Sequence, residues 1–184
     1  MNSVFYRLGV VLIVLCIAPS GLGGGGSGTQ VFFSPAPLTK ESIRDEIIKR
    51  INLSGKSIDI AIYNFTAGTI ARALLDAKNR GVRIRIILDE MQIKRDTKGH
   101  SEYRFLVDNG FNLKVRSGIK GFGIMHNKLA IYDGQVVQTG SYNWSDNAES
   151  NSWENAVFID DASVAQKFRD YFQRMWNYEE GDCH

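Results

Sequence analysis

The most informative stretch of the sequence lies at residues 125–143 and reads MHNKLAIYDGQVVQTGSYN. Asp133-Gly134 is a strong signal for a two-residue β-hairpin turn, and it is flanked here by two apolar runs that predict strands. Side chains alternate between the two faces of a strand, so His126 and Lys128 are expected on one face and the apolar residues between them and the turn on the other. The stretch therefore predicts a hairpin with one polar and one apolar face.

The second strand of this hairpin returns antiparallel, and its end lies beside the start of the first strand. It leads into Ser141 and Asn143, which again stand two residues apart. His126, Lys128, Ser141 and Asn143 are thus expected at one end of the hairpin. Displacement at a phosphodiester needs a nucleophile, a cation and hydrogen-bond donors for the phosphate oxygens, and histidine can form a covalent phosphohistidine. The four residues suit that reaction.

The rest of the chain alternates between strand and helix patterns. Further strands are predicted at 30–33, 57–63, 82–88, 111–115 and 156–159, and helices are predicted at 39–53, from 66 to a stop at Gly81, at 101–109 and at 162–177. Thr39 and Thr66 are the expected N-caps of the first two helices. Repeated strand–helix units predict an α/β (α+β) fold, with a mixed, largely parallel β-sheet flanked by helices on both faces and an antiparallel hairpin inserted late.

A length of 184 residues allows one compact domain. The predicted segments are a signal peptide at 1–20, a glycine-rich linker at 21–29, the domain at 30–178 and a tail at 179–184. The apolar run at 8–18 is too short to cross a membrane, which takes about 20 residues. We expect export to the periplasm or medium with no stable membrane partner, or a membrane anchor if the signal is not cleaved. Cleavage would leave Cys183 as the one cysteine, with no internal disulfide.

The net charge of +2 conceals a separation along the chain. Residues 78–128 sum to +7 and residues 129–184 to −7. The basic block, which leads into the hairpin, includes Lys78, Arg80, Arg83, Arg85, Lys94, Arg95, Lys98, Lys114, Arg116 and Lys120. It suits a polyanionic ligand, although the default for each of these residues is a surface charge that pairs with the acidic third.

Metal ligands do not cluster in the sequence. His100 and His184 are isolated, and Asp89-Glu90 lacks a partner motif with ligand spacing. The sequence therefore favours catalysis without a metal or other cofactor, in which Lys128 supplies the positive charge.

The pattern His126-x-Lys128-(x)4-Asp133-(x)6-Gly140-Ser141, followed by Asn143, resembles the HKD signature of the phospholipase D superfamily. With one motif in a chain of this size, the sequence is similar to the small bacterial Nuc-type endonucleases, and the likeness covers residues 31–176, including the stretch at 63–66. The resemblance implies a phospholipase D/Nuc-like fold and hydrolysis of DNA or RNA without a metal.

Members with one motif per chain are homodimers that pair two motifs in one active site, and a homodimer through the HKD face is expected here. A nucleophilic histidine cannot easily protonate its own leaving group, so the reaction needs a second proton donor. A twofold-related copy of the chain supplies one, its own histidine. By resemblance, His126 is nucleophile or general acid according to subunit. Lys128, Ser141 and Asn143 bind phosphate oxygens, and Glu154 orients the histidine.

Two motif residues have a structural interpretation, and others are candidates for substrate contact. The alternation of side chains along the strand places Asp133 on the face opposite His126, so Asp133 is expected to have a structural role. The same is expected of Gly140. Lys120 and Phe122, in the glycine-rich run before His126, are candidate substrate contacts. Trp144 and Trp153 are candidates to stack on bases, with packing in the core or in a dimer interface as the alternative for both.

The leading hypothesis is an exported, metal-independent, sequence-nonspecific endonuclease that acts on DNA, with RNA as a further substrate. The nearest alternative is a lipid phosphodiesterase of the same superfamily, acting on phospholipid or cardiolipin. Mitochondrial relatives of that kind carry a membrane helix and a small Cys/His insertion, which this sequence does not show. A catalytically silent DNA-binding protein on the same scaffold is the third possibility.

Overall fold

The hairpin around Asp133-Gly134 forms as predicted, at the centre of a seven-stranded sheet. The computed structural model describes residues 28–119 and 123–179. Its strands are β1 (Gly28–Ser34), β2 (Ser57–Ile62), β3 (Arg83–Asp89), β4 (Asn112–Arg116), β5 (Lys128–Tyr132), β6 (Val136–Gly140) and β7 (Glu154–Asp160). Its helices are α1 (Ala36–Thr39), α2 (Ile43–Leu53), α3 (Gly68–Asn79), α4 (Glu90–Arg95), α5 (Tyr103–Asp108), α6 (Asp146–Ser150) and α7 (Ala162–Asn177).

The sheet is mixed, with the strand order β1-β7-β6-β5-β2-β3-β4. The expectation that it would be largely parallel is wrong. Only β2, β3 and β4 pair in parallel, whereas the four other pairings between described strands are antiparallel. The reason is the position of the hairpin: β5 joins antiparallel to β2, and β6 joins antiparallel to β7, which itself pairs antiparallel with β1.

Helices cover both faces of the sheet, as predicted. One face packs under α2, α3 and α5, and its core includes Ile43, Ile47, Ile60 and Leu74 with no exposed surface. The other face packs under α7, where Phe172 lies against the apolar side of the hairpin. Strand β2 is buried on both faces, because it lies in the middle of the sheet between β5 and β3. Burial of each such side chain contributes roughly 1.5–3 kcal/mol.

The helix ends agree with the sequence signals in α7 and differ from them in α2 and α3. Helix α7 has the predicted bounds and is capped by Asp161, whose carboxylate accepts from two backbone N–H groups. The predicted cap of α2 is wrong: Ser42 caps it through the Asp45 N–H, and Thr39 instead ends the short α1. The predicted Thr66 cap is also wrong, since α3 starts after Ala67 and has no side-chain cap. Helices α1, α4 and α6 were not predicted.

Strand β1 begins two residues before the predicted start of the domain, because Gly28 pairs with Asp160. The predicted signal peptide, most of the linker and both cysteines lie outside the described residues, as do Lys120 and Phe122. Across residues 28–119 and 123–179, none of the helices is long and apolar enough to span a membrane.

Candidate active site

The polar residues of the hairpin lie at one edge of the sheet, where β2, β3 and β6 end and β5 begins. Two backbone contacts fix the segment that enters β5. The Tyr63 N–H donates to the Asn127 carbonyl over 2.8 Å. The Met125 N–H donates to Oδ2 of Asp89, a carboxylate that is 1% exposed, also over 2.8 Å. His126 therefore lies between two anchored neighbours.

His126 and Lys128 share a face, as the alternation predicts. The Lys128 ammonium Nζ lies 3.1 Å from Nε2 of His126 and also donates to the His126 carbonyl over 3.3 Å. An ammonium group can only donate, so this contact is a hydrogen bond when Nε2 of the neutral imidazole carries the lone pair, which places the ring proton on Nδ1. The imidazole is exposed while Lys128 is 7% exposed. The nearly buried ammonium of Lys128 therefore lies within hydrogen-bonding distance of Nε2 of the exposed His126 ring.

The surroundings of Lys128 disfavour its positive charge, and nearby carboxylates offset only part of that effect. Burial lowers the pKa of Lys128, and the carboxylates of Glu154 and Asp89 act in the opposite direction. Glu154 was expected to orient His126. Among the described residues, no carboxylate is hydrogen-bonded to the imidazole, and Glu154 instead acts on the ammonium of Lys128.

Ser141 and Asn143 follow β6 at the same edge. The Ser141 Oγ accepts from the backbone N–H and the side-chain amide of Asn155, at 3.1 and 3.4 Å, which leaves its own proton to donate. The Oδ1 of Asn143 is buried and unpartnered within the described part of the chain. Its amide nitrogen donates to no described residue, so its N–H groups are available to a ligand.

The two tryptophans have different environments. Trp144 is fully buried and packs edge-on against Phe65, with ring centroids 5.2 Å apart. Its proposed contact with substrate is therefore wrong, and the alternative of core packing is what forms. Trp153, next to Glu154, is 79% exposed, so the alternative of core packing is wrong for it, and its contact with substrate or with a second copy stays a prediction.

Asp133 lies in the turn between β5 and β6, at the end of the hairpin far from His126. Its carboxylate accepts the backbone N–H groups of Gly55, Lys56 and Ser57 at 2.8–3.0 Å. Partial burial alone would raise the pKa of Asp133, but these three donors together hold it below its usual range. Gly140 has φ +148°, and a Cβ there would lie 2.3 Å from the Asn155 carbonyl oxygen. Both residues serve the fold.

Comparison with known proteins agrees with this geometry. The family model described as "Cardiolipin synthase, PLD-like domain" matches residues 47–176. The chain belongs to the phospholipase D superfamily. It is a phosphodiesterase of the Nuc type within that superfamily.

Two solved structures are similar over almost their whole length. The Nuc protein of Salmonella typhimurium, a phospholipase D family member, superposes with a TM-score of 0.71 at 33% identity, covering 83% of this chain and 95% of its own. NucT from Helicobacter pylori gives 0.72 at 32% identity, covering 82% and 96%. The mitochondrial cardiolipin hydrolase of Xenopus tropicalis is 28% identical over 165 residues, 80% of this chain and 76% of its own length. In the matches to six mitochondrial cardiolipin hydrolases, the chain spans from 51% to 76% of the length of the relative.

Three residues near the HKD motif were not predicted as part of the site. The ring of Tyr63 packs edge-on against His126, with centroids 4.5 Å apart, and Gln92 donates to its hydroxyl over 2.6 Å. Asp89 holds the residue before His126. Tyr63 lies in the stretch that supported the resemblance, and Asp89 follows a buried strand. Neither signal shows which residues the side chain contacts, because the partners lie far away in sequence.

Most of the basic block stabilises the phospholipase D fold itself. Arg85 makes two hydrogen bonds to the buried Asp59, at 2.7 and 2.8 Å. Lys114 and Arg116 both donate to the Trp176 carbonyl near the end of α7. The interpretation of the whole block as a polyanion-binding surface is therefore wrong for these residues. The alternative of surface charges that pair with the acidic third is also wrong for them, because their partners are Asp59 and a backbone carbonyl.

No group of three or more His, Cys, Asp or Glu side chains is arranged to hold a metal ion in the described ranges. The prediction of catalysis without a metal stays a prediction, to be tested by assay.

Proposed function

We propose that this phosphodiesterase is a metal-independent, sequence-nonspecific endonuclease that cleaves DNA, with RNA as a further substrate, in a homodimeric site built from two HKD motifs. One observation carries the proposal: an exposed imidazole whose Nε2 is held by a buried ammonium, beside free donors of Ser141 and Asn143. These are the groups that an attack on phosphorus requires.

The first step forms a bond between Nε2 of His126 and the phosphorus and breaks the bond from phosphorus to one ester oxygen. An arriving phosphate offers Lys128 an anionic acceptor, so its proton turns from Nε2 to a nonbridging oxygen and frees the lone pair. Ser141 and Asn143 donate to the same oxygens as charge develops. The departing alkoxide takes a proton from His126 of the partner subunit.

The second step reverses these roles. Water loses a proton to His126 of the partner subunit and attacks phosphorus, which breaks the bond to Nε2 and releases a phosphate monoester. A proton donor is required in the first step, and the imidazole of His126 has no described hydrogen-bond partner except Lys128. This supports a twofold arrangement, which brings a second copy of the same residue to the site.

The choice of nucleic acid is supported by the extent of the similarity. This chain covers 95% and 96% of the Nuc and NucT structures, against 76% of the Xenopus tropicalis hydrolase. The exposed Trp153 beside Glu154 also offers a surface on which an unpaired base can stack.

The first experiment measures cleavage of plasmid and linear DNA in excess EDTA. Wild type is expected to cleave, and His126→Ala to lose activity. His100→Ala is the matched control, since His100 is also exposed but lies outside the motif. Activity that appears only when Mg²⁺ is added contradicts the mechanism, and tight DNA binding without turnover at any pH favours a silent binding protein.

The dimer is tested by mixing wild type with His126→Ala and allowing subunits to exchange. If each active site needs both histidines, an equal mixture has about one quarter of the activity of the same total amount of wild-type protein. Random exchange makes about one quarter of the dimers wild-type pairs, and only these are active. Independent sites would keep about one half. Mass in solution is measured on the same samples.

A lipid phosphodiesterase is the second candidate, favoured by the similarity to mitochondrial cardiolipin hydrolase. Release of headgroup or cleavage of cardiolipin in liposomes is compared with cleavage of DNA at equal enzyme concentration. Hydrolysis of lipid with no cleavage of DNA would replace the proposed substrate and leave the chemistry of His126 in place.

We also propose that residues 1–20 direct export. The N-terminal sequence of the protein recovered from the periplasm or medium is expected to begin after residue 20. Recovery of an intact Met1 in the membrane fraction would show an uncleaved anchor.

A further inference from the structure

Tyr63 is the one aromatic residue of the described chain that contacts both the histidine and the lysine of the HKD motif. Its ring centroid lies 4.5 Å from that of His126, at an interplanar angle of 64°. The Lys128 ammonium lies 4.8 Å from the same centroid, over the face of the ring. Since Nζ of Lys128 is also 3.1 Å from Nε2 of His126, the three side chains form a closed triangle.

The position of this ring is fixed at both ends. The Tyr63 N–H bonds the Asn127 carbonyl, so the backbone of Tyr63 is joined to the segment that carries His126. Its hydroxyl accepts from Nε2 of Gln92 over 2.6 Å. These two bonds fix the long axis of the ring, and the packing against His126 and Lys128 sets the rotation of the ring plane about that axis.

Gln92 is itself held by the carboxylate that anchors the residue before His126. The Gln92 N–H donates to Oδ1 of Asp89 over 2.9 Å, while Oδ2 of Asp89 accepts from Met125. A chain of contacts therefore runs from Met125 through Asp89 and Gln92 to Tyr63, whose ring packs against the imidazole of His126.

We propose that Tyr63, held by Gln92, is a positioning residue that keeps Lys128 on Nε2 of His126 and so sets which imidazole nitrogen carries the lone pair. The face of an aromatic ring attracts a cation, and its edge packs against an imidazole, so one ring constrains both groups. Without it, the imidazole can rotate and the lysine can turn to the carboxylates of Glu154 and Asp89, which already act on its charge.

The kinetic test uses bis(p-nitrophenyl) phosphate, which requires phosphodiesterase chemistry but no recognition of DNA. Tyr63→Leu is expected to lower kcat roughly 10-fold to 100-fold with KM within about twofold, because a misplaced nucleophile costs rate rather than binding. Tyr63→Phe keeps the ring and is expected to lose no more than about fivefold. Tyr103→Leu, a half-buried tyrosine on α5, is the matched control for lost packing.

The hydroxyl contact is tested by a double-mutant cycle. Tyr63→Phe and Gln92→Leu remove the same hydrogen bond from opposite sides, so the double variant is expected to lose no more kcat than the more impaired single variant. Multiplied effects would show that the two residues act separately and would overturn the proposal. Both changes are mild, so this arm is informative even if Tyr63→Leu does not fold.

A spectroscopic arm needs no substrate and is independent of the proposed nuclease function. Ring ¹⁵N shifts of His126, assigned by their loss in His126→Ala, are expected to show the proton on Nδ1 in wild type at a pH where the ring is neutral. Tyr63→Leu is expected to move the proton toward Nε2, the tautomer preferred by an unconstrained histidine side chain in water. An unchanged tautomer, a fall in kcat no larger than in Tyr103→Leu, or a rise in KM at constant kcat would each overturn the proposal.

Discussion

Replacement of Asp133 by Asn is expected to destabilise the protein without slowing its chemistry. Residue 133 has φ +51°, a conformation that Asn adopts as readily as Asp, so the change adds no backbone strain. The amide keeps one acceptor for the N–H groups of Lys56 and Ser57 but presents a donor to the N–H of Gly55. One lost bond at about 1 kcal/mol and two weakened ones at about 0.5 kcal/mol each give a loss of about 2 kcal/mol.

The assay is urea unfolding of wild type and Asp133→Asn between pH 7 and pH 2.5. A loss of about 2 kcal/mol corresponds to roughly 4–8 °C in Tm for a domain of this size. Because the pKa of Asp133 is lowered on folding, its contribution is complete above the unfolded value of about 3.9 and disappears as pH falls through the folded value. The difference between the two proteins should therefore shrink below pH 4. Asp108→Asn, an exposed residue on α5, is the control.

The activity of Asp133→Asn is measured where both proteins are fully folded. Asp133 lies five steps along the chain from Lys128, about 17 Å at 3.4 Å per step, so kcat/KM should be unchanged. Two results would refute the reasoning: equal stability at pH 7, or a tenfold loss of kcat/KM in the folded variant. The second would place this member of the HKD motif in the chemistry.

Three further predictions concern the site edge and α2. Gly140→Ala is expected to cost about 2 kcal/mol or more in urea unfolding, because its Cβ would lie 2.3 Å from the Asn155 carbonyl oxygen; a neutral effect would contradict this close approach. In pH profiles of kcat/KM, the alkaline limb should fall below the ordinary lysine value of about 10.4, since burial lowers the pKa of Lys128. Glu154→Gln should move this limb to lower pH, and no movement would remove Glu154 from the site. Ser42→Ala should lower the free energy of urea unfolding by about 1–2 kcal/mol, and Thr39→Ala by less than half of that, because Ser42 caps α2. A larger loss for Thr39→Ala than for Ser42→Ala would contradict this assignment.

The hairpin and its polar end could be predicted because their information is local. Asp133-Gly134 specifies the turn, and the spacing of two places His126 and Lys128 on one face wherever the hairpin lies in the sheet. The bounds of α7 follow from its apolar period and its Asp161 cap for the same reason. The family signature adds residue identities to a geometry that the spacing already implied.

The sequence predictions that are wrong or missing concern features that depend on contacts between residues far apart in the sequence. Thr39 and Ser42 are both good caps, and Ser42 caps the helix while its hydroxyl also donates to the buried Glu149, which lies 107 residues away. The parallel sheet was inferred from repeated strand–helix units, but where a hairpin inserts depends on which strand its edge meets. Tyr63 and Asp89 contact the site through partners that no spacing in the sequence connects to them.

The basic block shows how a charge count can mislead about function. The last carbonyls of a helix have no partner within the helix, and cationic side chains are well suited to bind them. Arg80 donates to the Ile51 and Asn52 carbonyls at the end of α2, and Lys114 donates to the Trp176 carbonyl of α7. Repeated strand–helix units create several such ends, so part of the excess of Lys and Arg in this segment follows from the architecture. In the proposed mechanism, the cation that acts on the phosphate is Lys128, which is nearly buried and lies 3.1 Å from Nε2 of His126, and its effect on phosphorus depends on that position rather than on the sum of charge around it.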